Sequence, residues 1–178
     1  GYNEMKNVNK LIEAYAILRK KIKGDIVLQL IGSGYEKNGL AERWAKENNM
    51  AEGIEFIGIL PYEETIKILS GASIFVHPSR EESFGMVLLE AMKCKVPIVA
   101  GKNSGAVPWI LESGRSGELV DIERPESIAN AILKLIQNET YCQNLVESAT
   151  IRANDFSVGE ISKQYLHYYE EISGGERV

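Results

Sequence analysis

Cysteine is scarce in this sequence. Cys94 and Cys142 are its only two, and they stand far apart in helix-like stretches. They form no metal-spaced pair, so no zinc framework is implied, and no disulfide can be read from them. Free thiols in a reducing, cytoplasmic compartment are the expectation. Long hydrophobic runs are also missing: none is long enough to span a bilayer, and no signal peptide opens the chain. Clustered basic residues are absent too. The net charge is −5 and the Lys and Arg residues are dispersed. That argues against a nucleic-acid partner, whose affinity rests on neutralising phosphates with grouped cations. It leaves room for one small phosphate pocket. No G-x-G-x-x-G fingerprint and no Walker-type lysine loop occurs, which makes hydride transfer and P-loop hydrolysis poor readings.

What is present is ordinary in amount and telling in order. The 178 residues are 44% hydrophobic and 25% charged, enough for one domain with a real core. Leu11, Ile12, Tyr15, Leu18 and Ile22 recur at helical spacing and predict a helix over Asn7–Lys23. Ile26–Ile31 is a nearly all-apolar strand of the kind buried on both faces of a parallel sheet. A helix near Leu40–Met50 and a strand over Ile54–Ile57 follow. The series continues with a helix at Pro61–Ser70, a strand at Ser73–His77, a helix at Phe84–Lys93 and a strand at Val96–Ala100. Then come a short helix at Val107–Glu112, a weak strand at Gly117–Val120, and helices over Pro125–Gln137, Glu139–Asn154 and Val158–Ile172. The tail from Ser173 to Val178 is expected to fray. Strands and helices alternate, which predicts an α/β fold: a Rossmann-like parallel sheet with helices on both faces.

In such a sheet, ligands sit beyond the carboxyl ends of the strands. After the first strand come Gly32, Ser33 and Gly34. Gly58 follows the second. After the third come His77, Pro78, Ser79, Arg80, Glu81, Glu82, Ser83, Phe84 and Gly85. Lys102, Asn103, Ser104 and Gly105 follow the fourth. Glycines let backbone N–H groups approach a ligand closely. A helix starting near Phe84 would aim its unbonded N–H groups and positive dipole end at the same rim. Together these suit a phosphorylated ligand. His77 is either a polar strand-end residue or a neighbour of that ligand, and Arg80 reads as a rim or salt-bridge residue.

The stretch His77-Pro78-Ser79, then Glu82-Ser83-Phe84-Gly85-Met86, Leu89-Glu90-Ala91-Met92 and Val96-Pro97-Ile98-Val99 resembles the signature of the family-4 glycosyltransferases. Glu82 and Glu90 match that family's pair of glutamates separated by seven residues. Lys6-Asn7 with Leu11-Ile12-Glu13-Ala14, Gly32-Ser33-Gly34, Ile57-Gly58 and Ser104-Gly105 fall in register. The resemblance implies residues 1–178 as the carboxy-terminal, donor-binding half of a retaining enzyme of the two-domain GT-B fold, its amino-terminal acceptor domain being absent. It implies transfer of a hexosyl unit from a UDP- or GDP-sugar to a sugar, lipid-linked or protein acceptor, in polysaccharide or glycoconjugate biosynthesis. The parent would be cytoplasmic, or peripheral at the cytoplasmic membrane face. Glu82 would lie against the donor sugar and Lys6 would steady the departing nucleoside diphosphate. Glu90 would accept hydrogen bonds from the ribose hydroxyls. The N–H groups of Gly85, Met86 and Val87, behind Ser83 and Phe84, would meet the diphosphate. Ser104 and Gly105 would offer amides to the sugar, and Ile57 and Gly58 would lie along the base. No metal or cofactor is implied, since the chain has no Asp-x-Asp motif.

The chain departs from that pattern in three places. The family's first strand and its arginine are missing where Gly1 and Tyr2 stand. If that strand belongs mid-sheet, its loss should leave a gap or force a swap between copies. Lys95 stands where glycine is usual, and Trp109 where glutamate is usual. Because the acceptor site and part of the closed active site would lie on the absent domain, the isolated chain is expected to bind nucleotide weakly and to turn over little or nothing. Two other readings stay open: a nucleotide- or partner-binding module of the same fold without catalysis, and half of a nonhydrolysing sugar-nucleotide epimerase. The aromatic stripe Tyr165, Tyr168, Tyr169 and Ile172 is expected to pack on its own domain, or to face an amino-terminal one.

Overall fold

A computed structural model describes residues 2–173. The tail beyond Ser173 lies outside the described residues. After a 3-10 turn at Glu4–Lys6, the elements run α1 (Val8–Lys21), β1 (Leu28–Ile31), α2 (Leu40–Glu47), β2 (Ile54–Gly58) and α3 (Tyr62–Gly71). They continue with β3 (Phe75–His77), α4 (Met86–Lys93), β4 (Ile98–Gly101), α5 (Val107–Ile110), β5 (Glu118–Val120), α6 (Pro125–Gln137), α7 (Glu139–Asn154) and α8 (Val158–Ile172). All strand pairings are parallel: β1 with β2, β3 with β4, and β4 with β5.

β4 shows how the layers arise. Alternate residues of a strand point to opposite faces. Val99 packs among Ile12, Leu18, Ile128 and Ile132 of α1 and α6. Its neighbours Ile98 and Ala100 pack instead among Leu88, Met92, Ile110 and Ala149 of α4, α5 and α7. Helices therefore cover both faces, as the run of apolar residues predicts. Each fully buried side chain of this size contributes about 1.5–3 kcal/mol to that burial. The helix of α6 starts at Pro125, where a missing N–H costs nothing.

The strands do not form one continuous sheet: β1 and β2 make one ladder, β3, β4 and β5 another. β1 and β3 are each bonded on one side only. The chain at residues 2–5 links the two halves beyond their strand ends. The Tyr2 N–H donates to the Ser33 carbonyl at 2.9 Å, and the Arg80 N–H to the Met5 carbonyl at 2.8 Å. A break between two ladders is one of the two outcomes anticipated above, and burial differs between the strands. β4 is buried throughout, whereas β1 and β3 are half-exposed along most of their length.

Amide hydrogen exchange should report this directly. The amides of Ile98–Gly101 are expected to exchange slowest, and those of Leu28–Ile31 on the order of 10²-fold faster, because local opening of a one-sided ladder needs fewer contacts broken. The ratio should hold on dilution. A ratio that collapses at high protein concentration would mean that copies exchange strands across the gap.

α8 differs from the other helices. None of its residues is buried, and Tyr165, Leu166, Tyr168, Tyr169 and Ile172 all stay exposed. The aromatic stripe does not pack into its own domain, which corrects the first of the two expectations for it. Among the described residues, no helix is long and apolar enough to cross a membrane.

Candidate functional site

Two asparagines place Lys6. The Asn3 side chain caps the 3-10 turn by accepting from the Lys6 N–H at 3.0 Å. Asn7 takes the left-handed conformation at φ 50°, which asparagine tolerates better than most residues. Its buried amide donates to the Ile122 carbonyl at 3.0 Å and so pins the start of α1 to the end of β5. Arg80 braces the same turn. It grips Glu123 with two bonds, at 2.7 and 2.9 Å, and reaches the Glu4 carbonyl with a third. It is therefore a salt-bridge residue at the rim.

The loop after β3 carries Glu82 to this turn. Its carbonyl accepts from the Ala106 N–H at 2.9 Å, which ties it to the loop after β4. One carboxylate oxygen, Oε1, accepts from the Gly85 N–H at 3.2 Å. The other, Oε2, lies 3.6 Å from Lys6 Nζ and 3.3 Å from His77 Nε2. Burial pushes the Glu82 carboxyl up, but Lys6, His77 and the Gly85 amide together outweigh it and hold it below the ordinary carboxylate range. It stays an anion at neutral pH. Burial pushes the His77 imidazole down, with Lys6 acting the same way and Glu82 against it. The result is one fixed anion, one cation and one neutral ring at a single point of the rim.

Gly85 lies at φ 77° and ends that loop, and α4 begins at Met86 rather than at Phe84. Among the described residues the N–H groups of Met86 and Val87 have no partner, as expected for a first helical turn. The Gly85 N–H, in contrast, is taken by Glu82. The Gly32–Gly34 loop is also partly spent. The Gly32 N–H donates to the Gly58 carbonyl at 2.7 Å and the Gly34 N–H to Glu36 at 2.8 Å. Glu36 crosses the end of β2 as an antiparallel bridge to Ile57. Only the Ser33 amide of that triplet is left for a ligand among the described residues. Ser104 is fully buried with its hydroxyl unpaired, and Gly105 packs its Cα against the backbone of Glu82.

Glu90 is further along α4. It lines a cleft of about 610 Å³ between α3, α4 and α8, with Tyr62, Phe84, Met86 and Tyr165 among its walls. Glu90 lies close enough to the Tyr62 hydroxyl that its negative charge pushes the phenol up. Sequence reasoning missed Tyr62. A single tyrosine at a helix start carries no signal until the fold brings it to an acid. Trp109, in place of the usual glutamate, is absorbed by an aromatic group. Its ring meets Phe156 edge to face at 5.5 Å, Phe156 meets Phe84 at 5.9 Å, and the Arg152 guanidinium lies over both Trp109 and Phe156.

Chemically, the rim offers a carboxylate and an ammonium held close together, free helix-start amides beside them, and a second carboxylate in an open cleft. That set can hold a diphosphate and hydroxyl-bearing rings on either side of it.

Comparison with known proteins bears on the family and the fold. A family model described as glycosyl transferases group 1 matches residues 2–152. A D-inositol 3-phosphate glycosyltransferase of Corynebacterium urealyticum is 30% identical over 173 residues, covering 94% of this chain and 41% of that protein. An O-antigen chain mannosyltransferase B of Escherichia coli is 29% identical over 167 residues, covering 93% and 42%. The chain thus spans less than half the length of these relatives. Among solved structures, Anabaena HepE in complex with UDP-glucose superposes with a TM-score of 0.78 at 23% identity, over 96% of this chain and 46% of that one.

Proposed function

The chain belongs to the glycosyl transferases of group 1, and from that premise we propose that it is the carboxy-terminal, donor-binding half of a retaining hexosyltransferase of the GT-B fold. The donor is a UDP- or GDP-sugar. The acceptor, a sugar, a lipid-linked group or a protein, is held by an amino-terminal domain. The observation that carries this reading is the convergence of Lys6 and Glu82, at 3.6 Å, beside the unbonded amides that open α4. Neither residue needs the other for packing, and Lys6 is the more exposed partner.

On this reading the amides of Met86 and Val87 and the Lys6 ammonium take the diphosphate. The bond between the sugar's anomeric carbon and the phosphate oxygen breaks, and its electron pair stays on the diphosphate. Fixed positive charge stabilises that developing anion without reorganising during the reaction. The acceptor hydroxyl bonds to the anomeric carbon on the same face and gives up its proton to the departing phosphate oxygen. Glu82 lies against the sugar through this exchange, with Ser104 and Gly105 at its far side. Glu90 takes the ribose diol, and Ile57 and Gly58 flank the base. A UDP-glucose complex of a structural neighbour and a mannosyltransferase among the relatives support a nucleotide-sugar donor.

Calorimetric titration of this chain with UDP and with GDP tests the reading. One of the two is expected to bind with a dissociation constant of about 0.1–1 mM, roughly 4–5 kcal/mol. The affinity is weak because the opposite wall of the cleft belongs to the other domain. Absence of heat from both at millimolar ligand would overturn the donor site.

A further inference from the structure

We propose that His77 is a positioning residue: an uncharged imidazole, anchored in the core at the end of β3, that fixes the Glu82 carboxylate where the donor sugar must meet it. This rests on the donor-site reading of Glu82 given above.

The argument starts from what can aim a carboxylate. Glu82 Oε1 is set by the Gly85 amide. Oε2 has two neighbours, Lys6 and His77. The Lys6 side chain is 37% exposed, a point charge on a flexible stem. It supplies attraction but little direction. His77 is only 6% exposed, and its ring stacks on Phe75 at 6.2 Å and 28°. Its position is therefore fixed by packing, and through it the position of Oε2.

A space-filling role alone does not account for the residue. Its Nε2 is buried and has no straight hydrogen bond, although Glu82 Oε2 is 3.3 Å away. Leaving such a group half-spent costs free energy that a leucine or phenylalanine would avoid. Contacts of this kind are commonly loose in the free protein and tighten when substrate arrives. The groups facing the ring are Glu82 from its own following loop, Lys6 from the turn before α1, and the untitratable Phe75. With Lys6 already beside Oε2, a second cation there would compete for the same oxygen. The neutral ring, with its hydrogen on Nε2, donates to Glu82 and leaves Lys6 to the diphosphate. Protonation of His77 would reverse this, so transfer should fall on the acid side as the ring takes up its proton.

Two measurements test the proposal. The chain has two histidines, His77 and the exposed His167, so their ring signals can be followed separately by NMR. The E82Q substitution is expected to lower the His77 titration midpoint and K6M to raise it. Midpoints that move in neither variant would overturn the coupling, and this readout requires no activity. In the full-length parent, H77L is expected to lower kcat on the order of 10²-fold with KM little changed, the cost of a misplaced reacting group. H77Q, which keeps an N–H donor, should retain most of the rate and lose the acid limb. An H77L enzyme with unchanged kcat and pH profile would overturn the role of His77. Full activity in E82A would instead remove the donor-site reading on which it rests.

Discussion

Replacement of Glu82 by alanine in the full-length parent is expected to lower kcat/KM on the order of 10³-fold, about 4 kcal/mol of transition-state stabilisation, while the domain stays folded. The two halves of that expectation come from the same geometry. Glu82 is held by one amide, one imidazole and one ammonium, all at the rim, and none of its atoms belongs to either hydrophobic cluster. Removing it leaves Lys6 free to turn into water, so stability changes little. It also removes the anion that sets where Lys6 stands when the diphosphate arrives. Glu90→Ala should behave differently. A residue that holds the ribose acts alike in ground and transition states, so its loss should appear mainly in the donor KM, by about 10–100-fold. Steady-state kinetics with purified parent enzyme separates the two. Full activity in both variants would mean that the rim residues do not hold the donor.

Much of the fold was legible from the sequence for identifiable reasons. α6, α7 and α8 end where the helical stripes and the turn residues place them, because periodicity and Pro125 are local signals. The strands come out shorter than their apolar runs. Ile26 and Val27 precede β1 rather than joining it, and Ser73 and Ile74 precede β3. Val96 and Pro97 likewise precede β4, which is bonded on both sides, so apolar character alone does not mark where a ladder begins. The Lys6–Glu82 pair rested on the family pattern alone, since nothing local links those residues. What stayed illegible was the use of each amide. Gly32, Gly34 and Gly85 look alike as open backbone in the sequence, yet a carbonyl or carboxylate claims each one. The bond from Asn7 to Ile122 is likewise a long-range contact with no period to betray it, and so is the approach of Tyr62 to Glu90.

Gly105 gives the second large effect, and it tests the loop-to-loop contact rather than the chemistry. Its φ is +57°, and a Cβ added there would stand 2.4 Å from the Glu82 carbonyl oxygen and 3.1 Å from its nitrogen. Those neighbours are backbone and cannot swing aside. The carbonyl is moreover held by the Ala106 N–H. Gly105→Ala is therefore expected to destabilise the domain by about 2–3 kcal/mol, the left-handed backbone and the clash acting together. It should also lower transfer in the parent at temperatures where the domain is still folded, because the clash falls on the Glu82 backbone and shifts it against the Gly105 loop. Gly159→Ala is the matched control. That glycine is in the first turn of α8 with nothing within 4 Å of its added Cβ. Alanine there should be neutral or stabilise by up to about 1 kcal/mol, since it only restricts the unfolded chain. Urea unfolding of the two variants beside the parent sequence makes the comparison. Equal midpoints for both would show that the two loops do not meet as closely as the geometry requires, and the placement of Glu82 would fall with that contact.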